Sequence, residues 1–301
     1  MSIYTCHRYV MMTIDPVHIG TGGYRLGRVD NSIMREPGTR LPKIPGTSLH
    51  GAARTYAARL CGDLAAAGAT HNIENPEQHP ICYTFGTITH SGVVSISDAR
   101  LLLFPVASMH GPVWVTTRQL LDEAGFTLNG AEGEPAKEQV WYTGKVQDKL
   151  NLGWLMLPVE KPALVIEPPD TIKDEARWTA ISDKIVVVHA ALFAAIVNSN
   201  LEVRTSVSID PKRGAAEDGA LFTYEALPRA TFLSFDVIVD DYRGKFDKTK
   251  KPEWDCPLTV VDAGLRLIEW LSIGGMGTRG FGRAAMLGHW DVANVAEANQ
   301  S

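Results

Sequence analysis

Apolar and small residues recur from Leu49 to Leu60 with the spacing of an amphipathic helix. Leu49, Ala52, Ala53, Tyr56, Ala57 and Leu60 follow the i, i+3, i+4, i+7, i+8, i+11 template. The spacing predicts a helix capped by Thr47 or Ser48 and closed by Cys61-Gly62. His50 and Arg54 lie one turn apart on its opposite face. Elsewhere the alternation is that of strands. Residues 3–14 read as one strand, ended by the turn at Asp15-Pro16. Val93–Ser97 alternates, Leu101–Val106 is a buried apolar run, and Val113–Thr116 suits a short strand. Ile185–Val188 suits a strand and His189–Asn198 a helix. Leu201–Ile209 and Ala220–Leu227 pair as a hairpin with a long polar tip. Thr231–Val239 places Leu233, Phe235, Val237 and Val239 on one face. A helix capped by Asp262 runs to Leu271, and Arg283–Leu287 forms a last strand. Residues 62–92 read as a polar excursion and 122–150 as loop or insertion. Strand–helix–strand units mixed with antiparallel hairpins predict an α+β architecture.

Composition changes this picture little. Apolar residues make up 45 % of the 301 positions and charged residues 21 %, which excludes a disordered or collagen-like chain. Four scattered cysteines exclude a disulfide scaffold. No charged n-region with an apolar h-region opens the chain, and no apolar run approaches the roughly 20 residues of a membrane span. The expectation is a cytoplasmic protein without a membrane partner.

Charge placement changes it more. The net charge is −5, yet residues 18–59 hold seven bases (Arg25, Arg28, Arg35, Arg40, Lys43, Arg54, Arg59) against only Asp30 and Glu36. Near the other end, residues 274–283 read GGMGTRGFGR, with Arg279 and Arg283 and no acid. Gly275-x-Gly277-x-x-Gly280 has the form of a dinucleotide fingerprint. It follows a helix, however, and too little chain remains for a βαβ unit. What remains is a flexible backbone offering N–H groups beside arginines, which suits a phosphate. Either these stretches are two solvated loops, or they assemble one anion-binding surface from both ends of the chain.

Asp30 is the lone acid in a long glycine-and-arginine stretch. It either neutralises Arg28 or Arg35, or stands beside a bound phosphodiester, orienting a ribose hydroxyl or holding a divalent metal. With an ordinary carboxylate pKa near 4 it is a poor general base. His18, just before the loop, is a candidate proton carrier. Cys61, His71, His79 and Cys82 are candidate zinc ligands, although Cys-x9-His-x7-His-x2-Cys matches no standard finger. Ordinary histidines and buried thiols explain them equally.

Three blocks carry a family resemblance: His18-Ile19-Gly20-Thr21-Gly22; Gly27-Arg28-Val29-Asp30-Asn31-Ser32-Ile33-Met34-Arg35-Glu36; and Ile44-Pro45-Gly46-Thr47-Ser48-Leu49-His50-Gly51-Ala52-Ala53-Arg54. The chain resembles the RAMP superfamily of CRISPR proteins. The block Ser97–Ser108 and the late Ile273-Gly274-Gly275…Gly280-Phe281-Gly282 narrow this to the backbone subunits of the Cmr complex, the type III-B effectors.

The resemblance implies one RAMP domain over 1–301 with an RRM-like (ferredoxin-like) core and insertions near 62–92 and 122–180. It also implies a β-hairpin thumb near 203–229. Copies of such subunits stack head to tail on CRISPR RNA beside other effector subunits and cut paired target RNA with Mg or Mn. On that pattern Asp30 is the essential residue, with His18 and Glu225 near the cut. Guide contacts are expected from Arg25, Arg28, Lys43, Ser48, His50, Arg54, Gly274, Gly275, Gly277, Arg279, Gly280 and Arg283. His50 stands where the family helix has Lys, which removes a cation at neutral pH. Arg279, in a loop that usually carries an acid, offsets that loss. A non-catalytic RNA-binding scaffold and a processing nuclease acting on precursor RNA are the alternatives.

Overall fold

A computed structural model describes residues 4–22, 29–68, 73–145, 148–160 and 164–292. Strand β1 (Thr5–Thr13) buries Tyr9, Val10 and Met11 in succession. Alternate side chains of a strand point to opposite faces, so consecutive burial means that both faces are covered. Tyr9 and Met11 join one core with Leu49, Ala53 and Tyr56, while Val10 joins a second core with Leu102, Leu103 and Trp114.

Helix α1 (Gly46–Cys61) follows, as its periodicity predicts. Its start differs from expectation, because neither Thr47 nor Ser48 caps it. Pro45 precedes the first turn, and the Asp98 carboxylate accepts the Gly46 N–H at 2.8 Å. The cap therefore comes from a distant residue. At Gly62 the left-handed φ of 78° ends the helix.

Strand β2 (Ala99–Ser108), the hairpin of β3 (Glu202–Asp210) with β4 (Ala215–Ala226), strand β5 (Phe232–Val239), helix α2 (Pro257–Arg266) and strand β6 (Ala284–Asp291) complete the frame. The sheet order β6-β1-β5-β2 is antiparallel throughout. With α1 between β1 and β2 and α2 between β5 and β6, this is the split β-α-β-β-α-β order. The two helices cross closely: a Cβ at Gly264 would lie 2.1 Å from the Ala53 carbonyl oxygen.

Two expectations need correction. Asp262 does not cap the last long helix, which begins five residues earlier. Pro257 occupies its first turn, where a missing N–H costs nothing, and the Thr259 hydroxyl accepts the Cys256 N–H at 3.3 Å. Asp262 lies mid-helix and accepts the Tyr9 hydroxyl at 2.5 Å. The chain then makes a separate turn at Ile268–Leu271.

Residues 122–150 are not simply loop. From β2 the sheet continues through Gly111–Thr116, Ile185–Val188, Val140–Tyr142, Leu155–Glu160 and Lys149–Leu152. A separate pair joins Thr127–Asn129 to Val165–Glu167. Strands of three or four residues are too short to show a period, and their buried side chains divide between the two cores, Val140, Leu150 and Leu152 in that of Tyr9 and Trp141, Leu128 and Ile166 in that of Val10. Among the described residues no helix is long and apolar enough to cross a membrane.

Candidate nucleic-acid interface

The two glycine-rich ends of the chain meet. Gly282 donates its N–H to Pro16 O at 2.8 Å, and Gly275 donates to His18 O at 3.0 Å. The Arg283 guanidinium pairs with Asp15 at 2.5 Å. Gly274 has φ +83°, and a Cβ there would lie 2.6 Å from His18 O and 2.5 Å from Ile19 Cδ1. Only glycine allows both the conformation and the approach. The hairpin root closes the third side: Arg204 lies over the Phe281 ring at 4.8 Å, and Arg279 Nη1 donates to Tyr224 Oη at 3.3 Å. The N–H groups of Met276, Gly277 and Thr278 have no acceptor among the described residues. Met276 carries a left-handed φ of 63° there, giving the concave run of N–H groups that binds anions.

The chain around Asp30 runs along β4. Asn31 donates to Thr223 O at 3.1 Å, and Glu225 donates to Asn31 O at 3.0 Å. Asp30 Oδ2 accepts the Thr223 N–H at 2.8 Å and the Thr223 hydroxyl at 2.9 Å. The same hydroxyl accepts the Asp30 N–H at 2.9 Å. The Thr223 N–H first, then its hydroxyl, hold the Asp30 carboxyl below its ordinary value. It is a carboxylate at neutral pH, with no partner at Oδ1 among the described residues. Arg35 does not brace it. That guanidinium pairs with Glu225 at 2.6 Å and reaches Asn198 Oδ1 at 3.1 Å.

His18 is buried, with Nδ1 2.7 Å from Glu225 O. A carbonyl only accepts, so Nδ1 carries the proton and Nε2 is the acceptor in the neutral ring. Glu225 itself has both oxygens occupied, Oε1 by Arg35 and Oε2 by the Ile33 N–H at 3.2 Å. Both bonds hold its carboxylate against the segment that carries Ile33 and Arg35. Thus Asp30, His18 and Glu225 converge on three consecutive residues of β4, Thr223 to Glu225.

Other expected contacts are placed differently. Arg54 is 5 % exposed, and its guanidinium donates to Ala66 O, Gly86 O and Gly68 O at 2.8, 2.7 and 3.1 Å. It pins the 62–92 excursion with three of its five N–H groups, and its burial keeps the guanidinium away from a phosphate at the surface. Lys43 is held by Asp98 at 2.5 Å and Glu36 at 3.2 Å. His50 sits edge-on to Phe85, and burial, with the nearby Arg54 charge, pushes its pKa down. Ser48 is half-buried in the first turn of α1, and Gly277, Gly280 and Arg279 are exposed on the loop. Arg25 and Arg28 lie outside the described residues.

So does His71 of the candidate zinc quartet. His79 has both ring nitrogens engaged: Nδ1 accepts the Ile81 N–H at 3.3 Å, and Nε2 lies 3.1 Å from Asp63. Burial pushes the Cys61 and Cys82 thiols up, away from thiolate character. Among the described residues no three His, Cys, Asp or Glu side chains are arranged to hold a metal. A zinc cage therefore does not fit them. At Asp30 the donor set fits a divalent ion only as one carboxylate completing a shell otherwise made by substrate phosphates and water.

Thr223, Tyr224 and Arg35 were absent from the expected site. Thr223 is 193 positions from Asp30, so no local pattern couples them.

Against known proteins, the chain is 25 % identical over 256 residues to the CRISPR system Cmr endoribonuclease Cmr4 of Pyrococcus furiosus, covering 78 % of this chain and 81 % of that protein. It is 26 % identical over 269 residues to the CRISPR system Cms endoribonuclease Csm3 of Methanothermobacter thermautotrophicus, covering 89 % and 77 %. Among solved structures, the fold matches a chain of the type III-B Cmr-beta complex in its apo state with TM-score 0.65 at 15 % identity, covering 94 % and 96 %. It matches oligomeric Cmr4 from Pyrococcus furiosus with TM-score 0.58 at 20 % identity, covering 96 % and 99 %. The RAMP superfamily model matches residues 10–285, so the chain belongs to the RAMP superfamily.

Proposed function

We propose that this chain is the backbone subunit of a type III-B CRISPR effector. It binds CRISPR RNA in head-to-tail copies, beside the other effector subunits, and cuts the complementary target RNA next to its hairpin. The observation that carries the reading is the Asp30 carboxylate, ionised, open at Oδ1 and tied to the hairpin strand β4. Guide binding runs through the backbone, with the glycine-loop N–H groups and Arg279 on phosphates. A filament that accepts any guide sequence needs this kind of contact.

In the cut, the ribose 2′-oxygen of the target forms a bond to the adjacent phosphorus, and the bond to the 5′-oxygen breaks. The products are a cyclic phosphate and a 5′-hydroxyl. Asp30 Oδ1 orients the attacking hydroxyl. His18 Nε2, the acceptor nitrogen of the tautomer set by Glu225 O, takes its proton, and water protonates the departing 5′-oxygen. Glu225 and Arg35 keep the Asp30 segment on β4. Mg or Mn held by Asp30 and the RNA phosphates would supply charge neutralisation at the scissile phosphate.

Asp30→Ala in the assembled complex should abolish cutting of complementary RNA and leave its binding intact. Cutting that persists at the normal sites would refute the assignment. The Glu225 carboxylate, engaged at both oxygens, favours a second reading, a non-catalytic scaffold. A wild-type complex with Mg or Mn that binds complementary RNA and leaves it whole would select that alternative.

A further inference from the structure

Trp270 is 70 % exposed, on the short turn Ile268–Leu271 that leads into the glycine loop. The turn is fixed from behind, since the Tyr56 hydroxyl donates to Leu271 O at 2.7 Å and also to Ser272 O. The indole lines an open groove of about 660 Å³ with Asp15, Ser272, Met276, Thr278 and Arg283. We propose that Trp270 is a stacking platform for a nucleobase of single-stranded RNA whose phosphates lie on the glycine loop. This rests on the reading of the chain as an RNA-binding subunit and extends it to a residue that the phosphate-binding loop does not include.

Three features of the groove support that occupant. An indole this open leaves a large flat apolar face in water, which a nucleobase covers well. The loop beside it presents the unpartnered N–H groups of Met276, Gly277 and Thr278 together with exposed Arg279. A flat apolar face next to an anion site is the chemical complement of a nucleotide. The nearby acids are also neutralised: Asp15 pairs with Arg283 at 2.5 Å, and Glu269 pairs with Arg177 at 2.8 Å. Both of these carboxylates therefore meet an approaching polyanion already paired. Every base has a π-face, so such a platform adds affinity without choosing a sequence.

The test uses the full chain and two labelled probes of equal length, a mixed-sequence single-stranded RNA and an abasic ribose-phosphate oligomer. Trp270→Ala should weaken binding of the RNA by about tenfold and leave binding of the abasic oligomer unchanged. Trp270→Phe should restore most of the loss. Equal RNA affinity for wild type and Trp270→Ala overturns the platform, as does an equal loss on both probes, which would mean a structural role. A Trp270→Ala protein that loses self-association at unchanged RNA affinity assigns the indole to a protein contact and likewise overturns it. Wild-type protein that binds neither probe refutes the RNA-binding reading itself, and the platform with it.

Discussion

Asp30 and Thr223, 193 positions apart, share three hydrogen bonds: two from Thr223 to Asp30 Oδ2 and one from the Asp30 N–H to the Thr223 hydroxyl. The carboxylate assigned to the proposed cut is thus held by the hairpin strand β4. Placement of the hairpin fixes how the acid is oriented, while at neutral pH the acid is ionised with or without it. A subunit whose hairpin strand is displaced loses the contacts that orient Asp30.

Thr223→Val tests this coupling. It removes the hydroxyl and keeps the backbone N–H, so Asp30 stays near β4 but turns more freely. Cutting by the complex should fall by about tenfold with target binding unchanged. The acid limb of the rate profile should also move. In the wild type the Asp30 pKa is depressed, so the carboxylate persists below the pH at which a free aspartate protonates. Losing one donor raises that pKa, and the limb should shift to higher pH. A single-turnover rate measured from about pH 2 upward checks both, and an unmoved limb would separate Thr223 from the chemistry.

Arg54 offers a test of structure against binding. The Ala66 and Gly86 carbonyls are buried with it and that of Gly68 is half-buried, and removing a buried donor leaves such groups unsatisfied. Arg54→Ala should cost about 3 kcal/mol of stability. Arg54→Lys restores one or two of the bonds, so it should recover part of the loss. RNA affinity of the folded fraction should match wild type in both, because the Arg54 guanidinium is buried away from the surface. Denaturant unfolding beside a binding isotherm distinguishes the cases; a lysine variant of normal stability and weak binding would make Arg54 a guide contact.

Acidification should destabilise the fold by way of His79 and His50. Burial depresses both, with Lys250 adding at His79 and Arg54 at His50. In the unfolded chain each protonates near pH 6.5, and in the fold only at lower pH. The unfolded state therefore binds more protons in that window. Stability is fully present above about pH 6.5 and is lost as pH falls towards the folded values. Thermal midpoints between pH 7.5 and 5.5 should decline, and the decline should shrink in His79→Gln. A flat profile would mean that neither ring titrates with unfolding.

Much of the frame was legible along the chain because its signals are local. Helix α1, the hairpin and β5 each carry their own period over eight or more residues, and Ile185–Val188 is an unbroken apolar run. The RAMP blocks around Gly20, Asp30 and Gly275 are likewise contiguous. The short strands between residues 127 and 160 were not legible, since three residues cannot display a period. The true start of α2 was signalled by Pro257, a helix-first-turn residue overshadowed by the more familiar capping acid Asp262.

The sequence by itself determined the α+β frame, the glycine-rich ends and the identity of a solitary acid among arginines, because composition and periodicity are properties of neighbouring residues. Tertiary structure alone decided which charges remain free. It assigned Arg54 to buried carbonyls, Arg35 to Glu225 and Lys43 to Asp98, and it left one oxygen of Asp30 and the face of Trp270 open. The reason is that a hydrogen bond or ion pair is settled by distances of about 3 Å, and folding brings to that range residues that the chain keeps nearly two hundred positions apart.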